Sequence, residues 1–381
     1  MEFEISAIYL IAFVVTLAYV TIITGLTIGW YRIPGSAQVE SLPNVSVSIV
    51  VPVRNEGKNI KGCLSGLMAQ DYPHQLFEII VVDDHSEDLT YRTAVEISLI
   101  SENVKVIVLP LTQTEGKKAA IQQAMEFANG SLVLCTDADC FHPRTWVRSM
   151  SDHYKSEDSV FISGPVLLNA HGSLPGLFQE LEFISLVASG AGAIGINTPL
   201  MCNGANLGFS AEAYRRLSND AMRSGVSSGD DVFLMLSMKK KYGSERISFV
   251  KNKSAVVMAD AAGTISGFIS QRLRWVSKSR AYRDSCLIIT AITVFLMSAT
   301  ILSLAFTGIF SRVYLWLSLA LFIIKILVDF PLIAAFTGFV GKKHLMVFFP
   351  IIQLMVVLFT VFAAIAGNLV NVSWKGRGIR R

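Results

Sequence analysis

Four groups of side chains in this 381-residue chain are of kinds that do chemistry, and they fall in a fixed order: Asp83-Asp84, Asp137-Ala138-Asp139, Asp230-Asp231, and Gln271-Arg272-Leu273-Arg274-Trp275. Asp137 and Asp139 set two carboxylates around one small residue. That suits a hard divalent cation, which takes oxygen ligands and shares them with phosphates; an exposed acidic turn has the same spelling. Asp83 and Asp84 follow the apolar run Ile79 to Val82. A carboxylate just past a buried strand can accept hydrogen bonds from a base or a ribose, and Asp84 or Ser86 can equally cap a helix. Two adjacent carboxylates, Asp230 and Asp231, suit proton abstraction, but Asp also favours the first turn of a helix for dipole reasons. Gly116-Lys117-Lys118 opens a helix, where glycine permits close backbone approach and lysine adds positive potential for a phosphate; a solvated lysine pair is the plainer reading. By their spacing Gln271, Arg274 and Trp275 share one helical side. They offer an amide, a guanidinium for a diphosphate and an indole for a sugar ring, or else an interfacial helix with Arg towards headgroups and Trp in the aromatic belt.

The elements that must position these groups alternate. Apolar, β-rich runs at 45–53, 77–82, 104–109 and 132–136 are separated by helical stretches, the first at 58–70 capped by Asn55 or the residues after it. Near-continuous apolar strands between helices imply a mainly parallel sheet covered on both faces. Ligands of such sheets bind at the C-terminal ends of the strands, where Asp83, Asp84, Asp137 and Asp139 fall. Beyond residue 163 the pattern loosens into a loop at Asn203-Gly204-Ala205-Asn206, helices at 211–217 and 230–241, and short strands at 247–250 and 255–258. The segment 266–283 alternates basic and apolar residues, as a helix lying along a membrane surface does.

With 52% hydrophobic residues and a mean hydropathy of +0.50, the chain is too apolar for one soluble domain. The excess lies in uncharged runs at 7–29, 286–310, 313–336 and 345–370, with a core-sized stretch between the first two. An acidic start makes the first run a retained membrane helix, not a secretory signal. The net charge of +4 does not point to nucleic acid, because the basic residues cluster beside the apolar runs: Arg272, Arg274, Lys278, Arg280 and Arg283 before the second, and Lys375, Arg377, Arg380 and Arg381 after the last. Such clusters hold the cytoplasmic face. Five cysteines without paired metal spacing read as buried thiols in a reducing compartment. With the middle domain in the cytosol, four crossings would put the basic tail outside, against the positive-inside rule. One run is therefore expected to be re-entrant, the third being the suspect because Lys325, Asp329 and Pro331 interrupt it. The Lys325 and Asp329 pair marks either an ion path or a neutralised structural contact.

As an ordered set these motifs resemble glycosyltransferase family 2, in its membrane-embedded branch with D, DxD, D and QxxRW motifs, which includes hyaluronan, chitin and poly-N-acetylglucosamine synthases and ceramide glucosyltransferases. The resemblance spans 45–275, with an echo in Trp374-Lys375-Gly376-Arg377. It implies an α/β fold: a GT-A, Rossmann-like cytosolic domain with a mainly parallel sheet, one N-terminal and about three C-terminal transmembrane helices. The expected divisions are an N-terminal helix at 1–32, the GT-A domain at 45–260, an interfacial helix carrying QxxRW at 263–284, a transmembrane region at 285–371 and a basic tail at 372–381. The resemblance further implies that Pro52, Asn55, Glu56, Asp83, Asp84, Lys117 and Asp137 bind the nucleotide, and that Asp137 and Asp139 hold Mg²⁺ or Mn²⁺. It gives Asn203, Gly204 and Asn206 to the donor sugar and acceptor, and Gln271, Arg274 and Trp275 to the diphosphate and acceptor end. Asp231 matches the general base; Asp230 stands where the family has Glu, which leaves the base open between the two. The implied activity is inverting, metal-dependent transfer from a nucleotide sugar, UDP-linked, to a lipid or lipid-linked acceptor at the cytosolic face of the plasma (inner) membrane. Processive exopolysaccharide synthesis is the alternative, and a nucleotide-sensing transporter or receptor without turnover the distant one. The implied partners are the donor, a lipid or growing glycan, and the bilayer, with no nucleic acid.

Overall fold

A computed structural model of the chain describes residues 2–35, 44–112, 115–170, 172–217, 230–369, 373–374 and 377–378. The chain opens with a long helix, α1 (Glu2–Arg32), and then alternates β1 (Val47–Val53), α2 (Ile60–Met68), β2 (Phe77–Asp83), α3 (Thr90–Ile100), β3 (Lys105–Pro110), α4 (Lys117–Phe127) and β4 (Leu132–Cys135). Next come β5 (Cys140–Phe141), α5 (Trp146–Ser156), β6 (Phe161–Ser163), β7 (Val166–Asn169), α6 (Leu174–Gly195), β8 (Leu207–Ser210), α7 (Ala211–Arg215) and α8 (Asp230–Tyr242). The remainder is β9 (Ile247–Phe249), β10 (Val257–Asp260), α9 (Ile265–Ser277), α10 (Ser285–Thr307), α11 (Arg312–Phe339) and α12 (Phe349–Leu369), followed by the short pair β11 (Ser373–Trp374) and β12 (Arg377–Gly378). Two compact units result: a globular one of 33–169, 197–261 and 373–381, and a helical one of 1–32, 170–196 and 262–372.

The globular unit is built on a seven-stranded sheet in the order β3-β2-β1-β4-β8-β6-β9. β1 to β4 are mutually parallel, β8 runs antiparallel to both its neighbours, and β6 and β9 are parallel. Every residue of β2 and β4 is buried, as their unbroken apolar spelling required. The register sets Val53 level with Asp83 and Val50 level with Cys135, so the loops after β1, β2 and β4 leave the sheet side by side. A second sheet, β5-β10-β7, begins three residues after Asp137.

The helical unit contains five helices long and apolar enough to cross a membrane: Ala7–Arg32, Leu174–Gly195, Ser285–Thr307, Arg312–Phe339 and Lys343–Leu369. The second of these, α6, was not visible as an apolar run, because Glu180, Glu182 and four interspersed glycines dilute it. At 22 residues it is about 33 Å long, enough to span. In the chain it stands between β7 and β8.

Helices α1 and α6 meet backbone to backbone. A Cβ built on Gly29 would overlap the Gly192 carbonyl, one on Gly192 the Leu26 carbonyl, and one on Gly195 the Gly29 carbonyl. Small residues at a helix crossing permit this approach where no hydrophobic force between helices is available. The suspect third run is an unbroken helix, α11, with Pro331 inside it. Lys325 Nζ lies 2.6 Å from Asp329 Oδ2 and 2.7 Å from Gln353 Oε1, and the Tyr19 hydroxyl donates to Asp329 Oδ1 at 2.7 Å. The buried pair is thus closed by groups from α1 and α12 and ties three helices together.

Two outcomes follow from this packing. Gly192→Leu should lower the melting temperature and yield of detergent-purified protein, whereas Gly62→Ala in α2, with open space at its Cβ, should stabilise by about 0.5–1 kcal/mol, both read by thermal unfolding. Lys325→Met alone leaves a buried carboxylate without its cation and should cost more stability than the double change Lys325→Met with Asp329→Leu.

Candidate active site

The loop after β1 is laced to the loop after β2. Buried Arg54 donates through Nη1 to the carbonyls of Asp84 (2.8 Å) and His85 (3.2 Å). The Asn55 amide donates to Ser86 Oγ at 2.9 Å while Asn55 Oδ1 accepts from the Glu87 amide at 2.8 Å. The Glu56 amide donates to Thr90 Oγ1 (2.7 Å) and that of Gly57 to Asp88 Oδ2 (3.0 Å). Asn55 (φ +50°) and His85 (φ +55°) both sit in the left-handed region, a conformation that costs energy and persists only where surrounding bonds over-determine it. Pro52 is half-buried on β1, opposite Val82.

This lacing presents two carboxylates. Asp84 is buried, its Oδ2 accepting from the Gly116 amide at 3.1 Å and its Oδ1 3.1 Å from His85 Nδ1. Asp83 is buried as well; its Oδ2 accepts from the Ser86 amide at 3.0 Å, and its Oδ1 has no hydrogen-bond partner among the described residues. A buried acceptor left open in this way is suited to a ligand N–H or O–H. The capping alternative is set aside, since the N-cap of α3 is Leu89.

At the end of β4 the other groups converge. Gly116 caps α4 with φ +106°, which excludes most side chains, and aims Lys117 inward. Lys117 Nζ is 2.5 Å from Asp137 Oδ1 and 3.3 Å from the Gly204 carbonyl. Burial works to lower the pKa of this ammonium, but Asp137 and then Asp231 outweigh it and hold it above the usual lysine value. The Gly204 amide donates to Asp231 Oδ2 at 3.0 Å, and a Cβ on Gly204 would stand 2.8 Å from Lys117 Nζ, so glycine is what fits between ammonium and carboxylate. Asp231 Oδ1 accepts from its own helix at the Val232 amide, 2.9 Å, so the helix-start reading of Asp231 holds alongside the chemical one. Asp230 opens α8, its side chain lying outside the described residues.

Asp139 has its carboxyl pushed up to about 6, by burial first and then by the nearby charges of Asp137 and Glu56. Carboxylates that resist ionising because like charges meet are what a hard cation relieves, and an all-oxygen donor set suits Mg²⁺ or Mn²⁺. No cluster of three or more His, Cys, Asp or Glu poised for a metal occurs among the described residues, so a cation held by Asp137 and Asp139 would complete its shell with phosphate oxygens and water. The nearby thiol of Cys63 is pushed up to about 12 by burial, Asp139 and Asp137, which makes it inert. None of the five cysteines is in a disulfide; Cys63, Cys135 and Cys140 are buried and Cys286 is exposed.

Behind these groups stands a layer that the motifs did not announce. Thr136 Oγ1 donates to the Ala205 carbonyl at 2.9 Å and lies 2.6 Å from His142 Nε2. Burial lowers the His142 pKa to about 4, leaving it neutral, and since the hydroxyl proton is given to Ala205, Nε2 must carry the ring proton. Trp146 Nε1 donates to Asn206 Oδ1 at 2.9 Å, and Asn206 Nδ2 donates to the carbonyls of Pro165 and Ala255, both at 2.8 Å. Asn206, expected to face the donor sugar or acceptor, is instead fully buried with its amide spent, and so holds the loop from behind. Asn203 folds the same loop by accepting from the Ala205 amide at 2.9 Å. Thr136, His142 and Trp146 had no local signal, because their partners are distant in sequence.

Gln271, Arg274 and Trp275 are half-buried on α9, in the helical unit. Between them Arg272, expected at a membrane surface, is turned inward and 3% exposed. Its Nε is 3.0 Å from both Glu182 carboxylate oxygens, its Nη2 2.5 Å from Oε2, its Nη1 donates to Gln271 Oε1 at 2.6 Å, and its guanidinium lies 4.2 Å from the Trp275 ring centre. A bidentate, stacked arginine of this kind fixes the planes of its neighbours.

Comparison with known proteins agrees with this arrangement. Residues 48–185 match the model of Glycosyl transferase family 2. Glycosyltransferase AglE of Haloferax volcanii is 32% identical over 101 residues, 26% of this chain and 33% of that protein. A poly-beta-1,6-N-acetyl-D-glucosamine synthase of Staphylococcus aureus is 28% identical over 142 residues, 37% of this chain and 33% of the synthase. The matched stretch thus covers about a third of each relative. A mannosyltransferase from Pyrobaculum calidifontis, solved with GDP-Man and Mn²⁺, superposes over 95% of this chain and 99% of its own with a TM-score of 0.57 at 17% identity, which shows a shared GT-A fold. Over residues 48–185 the chain is thus similar to glycosyl transferase family 2.

Proposed function

We propose that this protein is an inverting, metal-dependent glycosyltransferase that moves a sugar from a nucleoside-diphosphate sugar, UDP-linked, to a lipid or lipid-linked acceptor at the cytosolic face of a membrane. The observation that carries the proposal is the geometry around Lys117, whose ammonium joins the carboxylate pair Asp137 and Asp139 to the Gly204 loop that holds Asp231. The Asp83 Oδ1 acceptor is open to a base N–H, and Asn55, Glu56 and Asp84 shape the loops around it. Lys117 stands ready for a diphosphate oxygen. A divalent cation on Asp137 and Asp139 would offset the negative charge of the departing diphosphate. Asp231, oriented by the Gly204 amide, would take the proton of the acceptor hydroxyl as that oxygen attacks the anomeric carbon from the face opposite the nucleotide, inverting it. Gln271, Arg274 and Trp275, fixed by Arg272, would serve the diphosphate and the acceptor end. Similarity to a polysaccharide synthase keeps processive elongation as a second reading; product analysis with extracted lipids separates them, a single glycosylated lipid against a size ladder.

A panel of UDP- and GDP-sugars with purified protein should give transfer from one donor, and absence of transfer from all of them would overturn the proposal. Asp231→Asn should lower kcat by about 10²–10⁴-fold while donor binding stays within about threefold. Chelation should abolish turnover, and Mn²⁺ or Mg²⁺ should restore it. Because the Asp139 carboxyl titrates near 6 without metal, above its ordinary 3.8, the metal-free fold binds the extra proton between those values and should gain stability as pH falls from about 7 to 5. Mn²⁺ should accordingly raise the melting temperature more at pH 7.5 than at pH 5.5, and Asp139→Asn should flatten both responses.

A further inference from the structure

Helix α12 is long and apolar enough to cross a membrane, yet its contacts within the helical unit place both of its ends on one face. The reference face is the one where α1 ends, and α6 packs there through Gly192 and Gly195 against Leu26 and Gly29. Helix α11 ends on the same face, since Phe336 and Phe339 pack on Trp30 with ring centres 5.1 and 5.4 Å away. Helices α10 and α11 form an antiparallel hairpin, with Ser318 donating to the Ile301 carbonyl at 2.8 Å and Gly308 against Leu315, so α10 begins on that face too. The turn before α12 is held there by Lys342, whose Nζ is 2.7 Å from Glu180 of α6, and the first turns of α12 then dip along α11, Phe349 packing on Phe330 and Gln353 accepting from Lys325.

The far end of α12 does not leave this face. α9 is tied at its start to α6, Gln179 bonding the Ala262 backbone at 3.2 and 3.0 Å, and it ends shortly before α10 begins, so it lies along the face. The second half of α12 runs beside α9 in the same direction. Phe359 packs on Phe268 with ring centres 5.1 Å apart and on Phe178 at 5.7 Å, and a Cβ on Gly367 would stand 2.8 Å from Val276 Cγ1. A helix whose preceding turn is held against α6 and whose end lies against α9 returns to the face it left. Along its whole length one stripe is open: Ile351, Leu354, Leu358, Phe362, Ile365 and Leu369 are 47–74% exposed and recur every three or four residues.

We propose that α12 lies in a single leaflet, its open stripe seated against acyl chains, and that α1, α10 and α11 alone cross the bilayer. Three crossings put the Lys342-Lys343-His344 turn, the α9 arginines and the end of α12 on one face, which satisfies the positive-inside rule with that face cytosolic. The lipid partner is the acyl region at the headgroup boundary, where an apolar helix lying in the plane buries its face.

The test does not depend on turnover. Lys343→Cys, Ile309→Cys and a cysteine appended after Arg381 are each labelled with a membrane-impermeant maleimide in right-side-out and inverted vesicles, against the signal of the unaltered protein. Lys343→Cys and the appended cysteine should label at least tenfold more in inverted vesicles, and Ile309→Cys in right-side-out ones. Labelling of the appended cysteine from the side opposite Lys343→Cys would show that α12 crosses, and would overturn the proposal.

Discussion

The antiparallel pairing of β4 with β8 is the constraint on which the rest depends. Cys135 lies opposite Leu207, so the residues just beyond each strand end, Thr136 and Asp137 on one and Ala205 and Asn206 on the other, must be neighbours. Through that pairing the Thr136 hydroxyl reaches the Ala205 carbonyl, and the Gly204 amide is held where Asp231 accepts it. One ladder of backbone hydrogen bonds therefore fixes the spacing of the groups that gather around Lys117.

Charge then decides what the site can hold. Lys117 offsets Asp137 but leaves Asp139 facing Asp137 and Glu56, with its carboxyl raised to about 6. An arrangement that makes a carboxylate reluctant to ionise costs stability and is explained by a cation that removes the cost. The bracing behind it is neutral by contrast: His142 is kept uncharged by burial, and Asn206 and Trp146 spend their polar atoms on one another and on backbone. The support behind the Gly204 loop is thus built from hydrogen bonds between neutral groups.

In the helical unit three cations, Arg272, Lys325 and Lys342, are each closed by partners. Arg272 is enclosed by Glu182, Gln271 and Trp275, Lys342 meets Glu180, and Lys325 meets Asp329, Gln353 and, through Asp329, Tyr19. In an apolar medium an unpaired charge is costly, so these pairs fix helix register more firmly than apolar contacts could. The glycine crossing of α1 and α6 supplies the complementary device, shape in place of charge.

The parallel half of the sheet, the carboxylates at its strand ends and the apolar runs at either end of the chain were legible because each depends on local spelling: unbroken apolar strands, punctuating Asp and Gly, and length. What was not legible depends on partners far apart in sequence. Asn206 spells a loop residue and is buried by Trp146, Pro165 and Ala255; Arg272 spells a membrane-surface residue and is buried by Glu182. The run suspected of interruption, around Lys325, Asp329 and Pro331, is a continuous helix, since the side chains that neutralise the pair come from α1 and α12. The sequence by itself determined which groups could do chemistry and roughly where strands end, because periodicity and propensity act over a few residues. Only the tertiary structure decided which of those groups converge, which brace them from behind and which charges are paired, because burial and ion pairing are settled by what the fold brings alongside.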